Sequence, residues 1–301
     1  MTADGATAMT RTDVSIRPLR AWDEYLAAEQ LQRDVWQMPD MRDVVPANLM
    51  VTVNKNAGLT LGAFAPDGRL IGLAFGFCAM EEHAGRKKLK HCSPMLAVLP
   101  DYRSQQIGIR LKLWQREFTL AQGMDLMTWT YDPLQARNAN LNLVHLGGIA
   151  RRYMENAYGE MTDGLNAGIA SDRFQVEWWL NAPRVQACAA GQPLQFDWDE
   201  LMGAGAQPVF QVGVDAGGQP RVEREIESNA GTLLLEIPPS IGAVKTASLD
   251  LAREWRFRTR EAFQRAFADG YAAVGFATAN RAGRSRAAYV LSRTLPLLQE
   301  D

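Results

Sequence analysis

The sequence predicts an α/β domain followed by a smaller α+β domain, and three observations carry that reading. Two apolar runs, LTLGAFAP and RLIGLAFGFCAM, meet at Asp67-Gly68, the pair a tight hairpin favours because its central positions take unusual backbone angles. A third run, KLKHCSPMLAVLP, passes through a polar bend into a helix with a clear apolar stripe. After Leu180 the composition turns to Ala, Gly, Pro and Gln before strand-like runs resume.

In chain order, residues 1–13 are small and polar and are expected to be a flexible start. VSIRPL (14–19) is a short strand and residues 22–38 a helix. A second short helix follows, with Pro46 in its first turn and Gly58 past its end. The Asp67-Gly68 hairpin comes next, then a third strand of the same sheet over 88–100, preceded by the charged loop EEHAGRK. Ile107, Leu111, Trp114, Phe118 and Ala121 recur at three- and four-residue steps, with Arg110, Lys112, Gln115, Arg116 and Glu117 between them; Gly123 closes this helix. DLMTWTYDP (125–133) is a strand and LQARNANLNLVHLGG a helix ending in glycine. IARRYMENAYGEM and SDRFQVEWWL are two further strands, joined by the loop TDGLNAGIA.

The first domain is thus expected over 14–180, a linker over 181–208 and the second domain over 209–301. The second holds a hairpin around Gly217-Gly218, the strand GTLLLEIP, a helix from Leu249 to Phe267 capped by Ser248, and the strands YAAVGFATAN and SRAAYVLSR. The glycines of GAGAQP have no amphipathic helix after them and are taken as flexible linker.

Composition narrows the function classes. A formal charge of −2 supplies no general attraction for nucleic acid or anionic lipid, so an anion must be bound locally. Cys78, Cys92 and Cys188 are too few and scattered for a disulfide framework, which fits a reducing compartment. No run has signal-peptide or membrane-span character, and the expected location is the cytoplasm, with no membrane or nucleic-acid partner. His83, His91 and His145 lack metal-ligand spacing, so no metal is expected; no GxSxG or Cys-His pattern suggests a covalent nucleophile.

The bend offers unpaired N–H groups at the positive end of a helix dipole, which is either an anion site or only a turn. The order of elements resembles that of the GCN5-related N-acetyltransferase superfamily over about Val14 to Leu180. The family's pyrophosphate pattern, Arg/Gln-x-x-Gly-x-Gly/Ala, is matched here by Arg103-Ser104-Gln105-Gln106-Ile107-Gly108, with Gln106 in place of the first glycine. The stretches WTYDPLQARN and YGEMTDGLNAGIASDRFQVEW further resemble a bacterial and archaeal branch of that superfamily.

The resemblance implies a mixed, twisted central sheet flanked by helices, and transfer of an acyl group from acetyl-CoA or another short acyl-CoA to a small amine. It implies that the backbone of Leu96, Ala97 and Val98 holds the pantetheine arm and polarises the thioester carbonyl in a wedge beside LMTWTYD. Arg103, Ser104, Gln105, Gln106, Ile107, Gly108 and Ile109 would then hold the pyrophosphate, with Gln106 keeping the backbone shape if its position is helical. Asn138 and Asn142 either contact the cofactor or cap and solvate their helix.

Asp132 is the first candidate for the base, or else an Asp-Pro turn residue that caps the next helix. Glu160 and Glu177 are alternatives, while Glu81 and Glu82 are expected on a solvated loop. Where relatives carry a tyrosine acid this chain has Leu143, which leaves Tyr131, Tyr153 and Tyr158 as candidates or the thiolate leaving unaided. Asp163, Asn166, Asp172 and Arg173 would recognise an amino-acid-like acceptor, or Asp172 and Arg173 pair with each other. Arg253, Arg256, Arg258, Arg260 and Arg265 are expected on a solvated helix face. The second half is compatible with extending the sheet, walling the acceptor pocket or making a homodimer contact, and a non-catalytic acyl-CoA sensor is the rival to the enzyme.

Overall fold

The structure, a computed structural model, describes residues 14–38, 40–83, 85–103, 105–159, 168–281 and 283–293. The chain divides into two units, Met1–Cys78 with Ser93–Phe118, and Ala79–Cys92 with Thr119–Asp301. Two strands are shared by both units. The division does not fall in the 181–208 stretch, because the strands after that stretch continue a sheet begun before it.

The first unit contains β1 (Ser15–Pro18), α1 (Trp22–Trp36), α2 (Ala47–Lys55), β2 (Leu59–Phe64) and the start of β3 (Leu70–His83). The end of β4 (Arg86–Val98) and most of α3 (Ile107–Ala121) complete it. Its strands lie in the order β1-β2-β3-β4. The β2–β3 hairpin turns at Gly68, whose φ of 85° only glycine adopts without strain. One sheet face packs Leu73, Phe75 and Ala97 against Tyr25, Ala28 and Leu31 of α1 and Met50 of α2. The other packs Leu61, Ala63, Ile71 and Ala74 against Ile107 and Leu111 of α3.

Helix α3 has a second buried face that periodicity did not show. Lys112 and Gln115 are 1% and 0% exposed. Lys112 Nζ donates to Ser93 Oγ at 2.8 Å, and Ser93 Oγ donates to Gln115 Oε1 at 3.0 Å. The polar heads thus meet on β4 while the stems pack.

The second unit runs through β5 (Leu126–Tyr131), α4 (Ala136–Ala139), β6 (Ile149–Met154) and β7 (Arg173–Trp179). It continues with α5 (Pro183–Ala189), α6 (Trp198–Gly203), β8 (Gln207–Pro208), β9 (Phe210–Val214), β10 (Pro220–Glu225) and β11 (Thr232–Ile237). It ends with α7 (Ile241–Ala247), α8 (Leu249–Ala268), β12 (Ala272–Arg281) and β13 (Arg284–Ser292). Its sheet order is β4-β5-β7-β6-β12-β13-β11-β8, with β9 and β10 as a separate hairpin. β4 and β5 pair in parallel at His91↔Met127, and β5 and β7 antiparallel from Leu126↔Trp179 to Tyr131↔Phe174, so the sheet is mixed.

The second half extends this sheet through Ala273↔Ala150, where β12 meets β6. Residues 181–208, expected as linker, carry α5, α6 and β8. The GAGAQP segment closes α6 and enters β8, which pairs with β11, and its Ala206 is buried. The core of the unit is aromatic: Phe174 of β7 contacts Tyr131, Tyr153, Phe263, Phe267 and Tyr289 with ring centroids 4.7–5.8 Å apart. Ser248 caps α8, its Oγ accepting from Leu251 N–H at 3.2 Å.

Candidate functional site

In the first unit, β4 ends at Val98 and the chain turns through Pro100–Tyr102 into α3. Leu96 and Val98 face the α3 side of the sheet and Ala97 the α1–α2 side, as alternation requires. Arg103 Nε donates to the Val98 carbonyl at 3.1 Å, and Tyr102 accepts from Arg69 at 2.6 Å, which ties the bend to the strand and hairpin. Among the described residues the first bond into α3 runs from Arg110 N–H to Gln106 C=O at 3.0 Å. The amides of Ile107, Gly108 and Ile109 therefore have no acceptor within the helix.

Gln106 is not helical, as the sequence reading required, but left-handed, with φ 57°. The position keeps the conformation that suits a glycine while carrying a side chain, at a cost of about 1 kcal/mol or more. Gly108 shows the converse. Its φ is ordinary, and a Cβ there would meet only Leu96 Cδ2, at 3.7 Å. Neither turn nor packing demands glycine here, and glycine in a helix costs up to about 1 kcal/mol against alanine. What it does give is bare backbone in the first turn, which fits a closely approaching phosphate.

In the second unit, Asp132 follows β5. Its Oδ1 accepts from Leu134 N–H at 2.8 Å, so it does make the Asp-Pro turn. Both its oxygens also accept from Arg256 Nη2 at 2.7 Å. Arg256 is 2% exposed. Burial acts to lower its pKa, and the Asp132 carboxylate, together with the neighbouring Tyr153 and Asp172, more than offsets this, so it is held above the ordinary arginine value.

Nearby, Arg260 grips Asp172 through Nε and Nη2, both at 2.8 Å, while Tyr153 donates to Asp172 at 2.6 Å and Asn156 N–H at 2.9 Å. Arg256 and Arg260 are thus interior ion-pair partners and not part of a solvated face. The signal was available: Ala252, Trp255, Arg256, Thr259 and Phe263 share the buried stripe of α8. The partners, Asp132 and Asp172, were not readable at that sequence distance.

The other expected residues are distributed as follows. Tyr158 is exposed, with its hydroxyl 3.0 Å from Thr130 Oγ1 and the Arg173 guanidinium 5.2 Å over its ring. Arg173 is buried and donates to the Asp172 carbonyl at 2.9 Å, so its side chain does not take the Asp172 carboxylate. Tyr131 is buried and Tyr153 half-buried, and desolvation pushes both phenols well above their ordinary pKa. Leu143 is core.

Asn142 is buried and accepts from Trp129 Nε1 at 3.2 Å, whereas Asn138 is exposed. Glu177 is paired with Arg151 at 2.6 Å. Glu81 is not on a solvated loop but lies on β3, mostly buried. Burial raises its pKa, yet the hydrogen bond and charge of Lys90, with smaller help from Gln175 and Arg152, outweigh that and hold it below the ordinary value. Ser104, Glu160, Asp163 and Asn166 lie outside the described residues. Among the described residues no three His, Cys, Asp or Glu side chains gather to hold a metal, and no helix is long and apolar enough to cross a membrane.

No protein-family model and no curated protein matches the sequence. Among solved structures the chain is similar to a putative acetyltransferase from Acinetobacter baylyi ADP1, at 17% identity over 59% of this chain and 97% of that one, with a TM-score of 0.46. It is similar to the ribosomal-protein-S18-alanine N-acetyltransferase of Escherichia coli at 14% identity over 56% and 95% of the two chains, TM-score 0.43. A putative acetyltransferase of the GNAT family from Desulfovibrio desulfuricans is similar at 14% identity over 56% and 99%, TM-score 0.43.

Proposed function

We propose that the protein is an N-acyltransferase of the GCN5-related type that moves an acyl group from acetyl-CoA or another short acyl-CoA to a small amine in the cytoplasm. The observation that carries this reading is the bend: a left-handed Gln106 is retained at some cost, and a glycine at 108 that the fold does not need bares the first turn of α3. Acyl-CoA, when bound, supplies an activated thioester. The chain's part is to hold its pyrophosphate on the amides of Ile107 to Ile109 and to present the end of β4, Leu96 to Val98, to the pantetheine arm.

Asp132 is the carboxylate that receives the acceptor's ammonium. Tyr158, the exposed phenol of the three tyrosine candidates, is assigned the return of a proton to the thiolate. The three cysteines are not joined in disulfides, which suits a reducing compartment.

Calorimetric titration of the protein with acetyl-CoA, succinyl-CoA and free CoA tests the reading, followed by thiol release in the presence of an amine. Binding with release supports it. Binding to none of the three overturns it, and binding without release from any amine turns it into the sensor.

A further inference from the structure

In the second unit the turn after β5 and the described ends of the β6–β7 connection are held by elements from the C-terminal part of the chain. Arg253, Arg256 and Arg260 follow one another at three and four residues and so share one side of α8. Arg253 Nε donates to the Gly168 carbonyl at 3.1 Å. Leu249, one turn earlier, lies against the same glycine, where a Cβ would meet its Cδ1 at 3.3 Å. Arg256 holds the Asp132 carboxylate, and Arg260 grips Asp172 through its fork while its Nη1 donates to Glu155. From β13, Tyr289 donates to the Pro133 carbonyl at 2.8 Å.

The residues held in this way surround a cavity. Asp132, Ile169 and Ala170 line a pocket of about 410 Å³, and Ile241, Gly242 and Thr246 of α7 line it from the C-terminal side. Its size is that of small-molecule sites. Gly242 has an ordinary φ, and a Cβ there would meet only Ser240 Oγ, at 3.9 Å. Neither the backbone nor the packing of α7 demands a glycine, and most residues serve a helix better. A reacting group misplaced by about 1 Å can cost about a hundredfold in rate, and guanidinium forks fix orientation as well as position.

We infer that the C-terminal half is the brace and the outer wall of the acceptor pocket, with Arg253, Arg256 and Arg260 as positioning residues and Gly242 setting the size of acceptor it admits. This rests on the acyltransferase reading, in which Asp132 receives the amine, and deepens it by giving the C-terminal half its part.

Hydrogen exchange tests the brace without turnover. The amides of Asn156, Ala157 and Tyr158 bond to Asp172 and Ser171. Arg253→Ala, at an exposed position, and Arg260→Lys, which keeps the charge but loses the fork, should speed exchange in the peptide that holds them by about fivefold or more and leave α3 unchanged. Arg258→Ala, exposed on the same helix, should move neither. Thiol release from acetyl-CoA is then measured with propylamine and phenethylamine. Arg253→Ala should raise the KM for both amines about fivefold or more and leave that for acetyl-CoA within about twofold. Gly242→Leu should raise the KM for phenethylamine about tenfold or more, propylamine much less, with hydrogen exchange and the acetyl-CoA KM as in the parent.

Exchange that moves in neither arginine variant overturns the brace. Amine and acetyl-CoA KM values that rise together in Arg253→Ala, or a Gly242→Leu variant that uses phenethylamine as the parent does, overturn the acceptor role and leave the acyltransferase standing. A parent that binds no CoA and releases no thiol, with exchange moving as expected, would remove the acyltransferase reading and leave the brace.

Discussion

In the first unit the candidate anion site is main chain: three amides at the start of α3, a left-handed residue and a bare glycine. In the second the charges sit on side chains, Asp132 and Arg256, which lie 124 residues apart in sequence, and beside them Asp172 and Arg260, 88 apart. The difference teaches how each can vary. A backbone cradle tolerates Gln106 where glycine would be cheaper, because the donors belong to the chain itself. A site of buried opposite charges tolerates no such exchange, since removing one member strands the other.

The largest effect should therefore come from the second unit. Arg256→Met leaves Asp132 largely buried without its cation and should cost about 3–5 kcal/mol of stability in denaturant unfolding. Asp132→Asn placed in the same chain keeps an acceptor for Leu134 N–H and removes the stranded charge. The double variant should recover at least half of the loss. If the single variant is as stable as the parent, the pair does not hold the unit together and the contrast between the two sites fails.

Gly108→Ala sharpens the comparison from the other side. Added methyl meets only Leu96 at ordinary contact distance, so the variant should be as stable as the parent or more so, by up to about 1 kcal/mol. Its affinity for free CoA should nevertheless fall tenfold or more, because the Cβ stands where phosphate must approach. A variant that is stabilised and still binds CoA fully would show that the glycine serves no ligand. Gln106→Gly should have a smaller effect, raising stability by about 1 kcal/mol or less through relief of the left-handed side chain, with CoA affinity unchanged or improved. A loss of stability there would mean that the Gln106 side chain itself supports the bend.

How much was legible follows the same division. The hairpin at Asp67-Gly68, the stripe from Ile107 to Phe118 and the Ser248 cap are local patterns, and each was readable from residues a few positions apart. The bend was readable too, although Gln106 was allowed to keep its shape only if helical and is left-handed instead; spacing locates a turn, but φ depends on how the chain must leave the strand. What periodicity could not supply was polar interior. Lys112 and Gln115 look like solvent residues until Ser93 meets them, and Arg256 and Arg260 look like a wet helix face until their carboxylates arrive from β5 and from the start of β7. A sequence shows that a charge sits on an apolar stripe, but not which distant residue neutralises it.

The smallest predicted effect belongs to a charge pair of the first unit, and it tests whether locality or burial makes the difference. Arg17 and Glu24 are only seven residues apart, joined by two hydrogen bonds, the shorter 2.6 Å. Glu24 also accepts from the backbone amides of Arg20 and Ala21 at the start of α1. The hydrogen bond from Arg17, foremost, and those amides hold its carboxyl at about 2, below the ordinary 4.5.

A carboxyl whose pKa is lower in the folded chain contributes fully above pH 4.5, and its contribution drains away as pH falls toward 2. Parent stability should therefore fall more steeply over that range than that of Glu24→Gln, with the two curves parallel at neutral pH. The pair is part-exposed, so the gap should be far smaller than that for Arg256→Met. Equal slopes would mean that Glu24 gains nothing from folding. A gap as large as the Arg256 effect would mean that burial is not what separates the two units' charges.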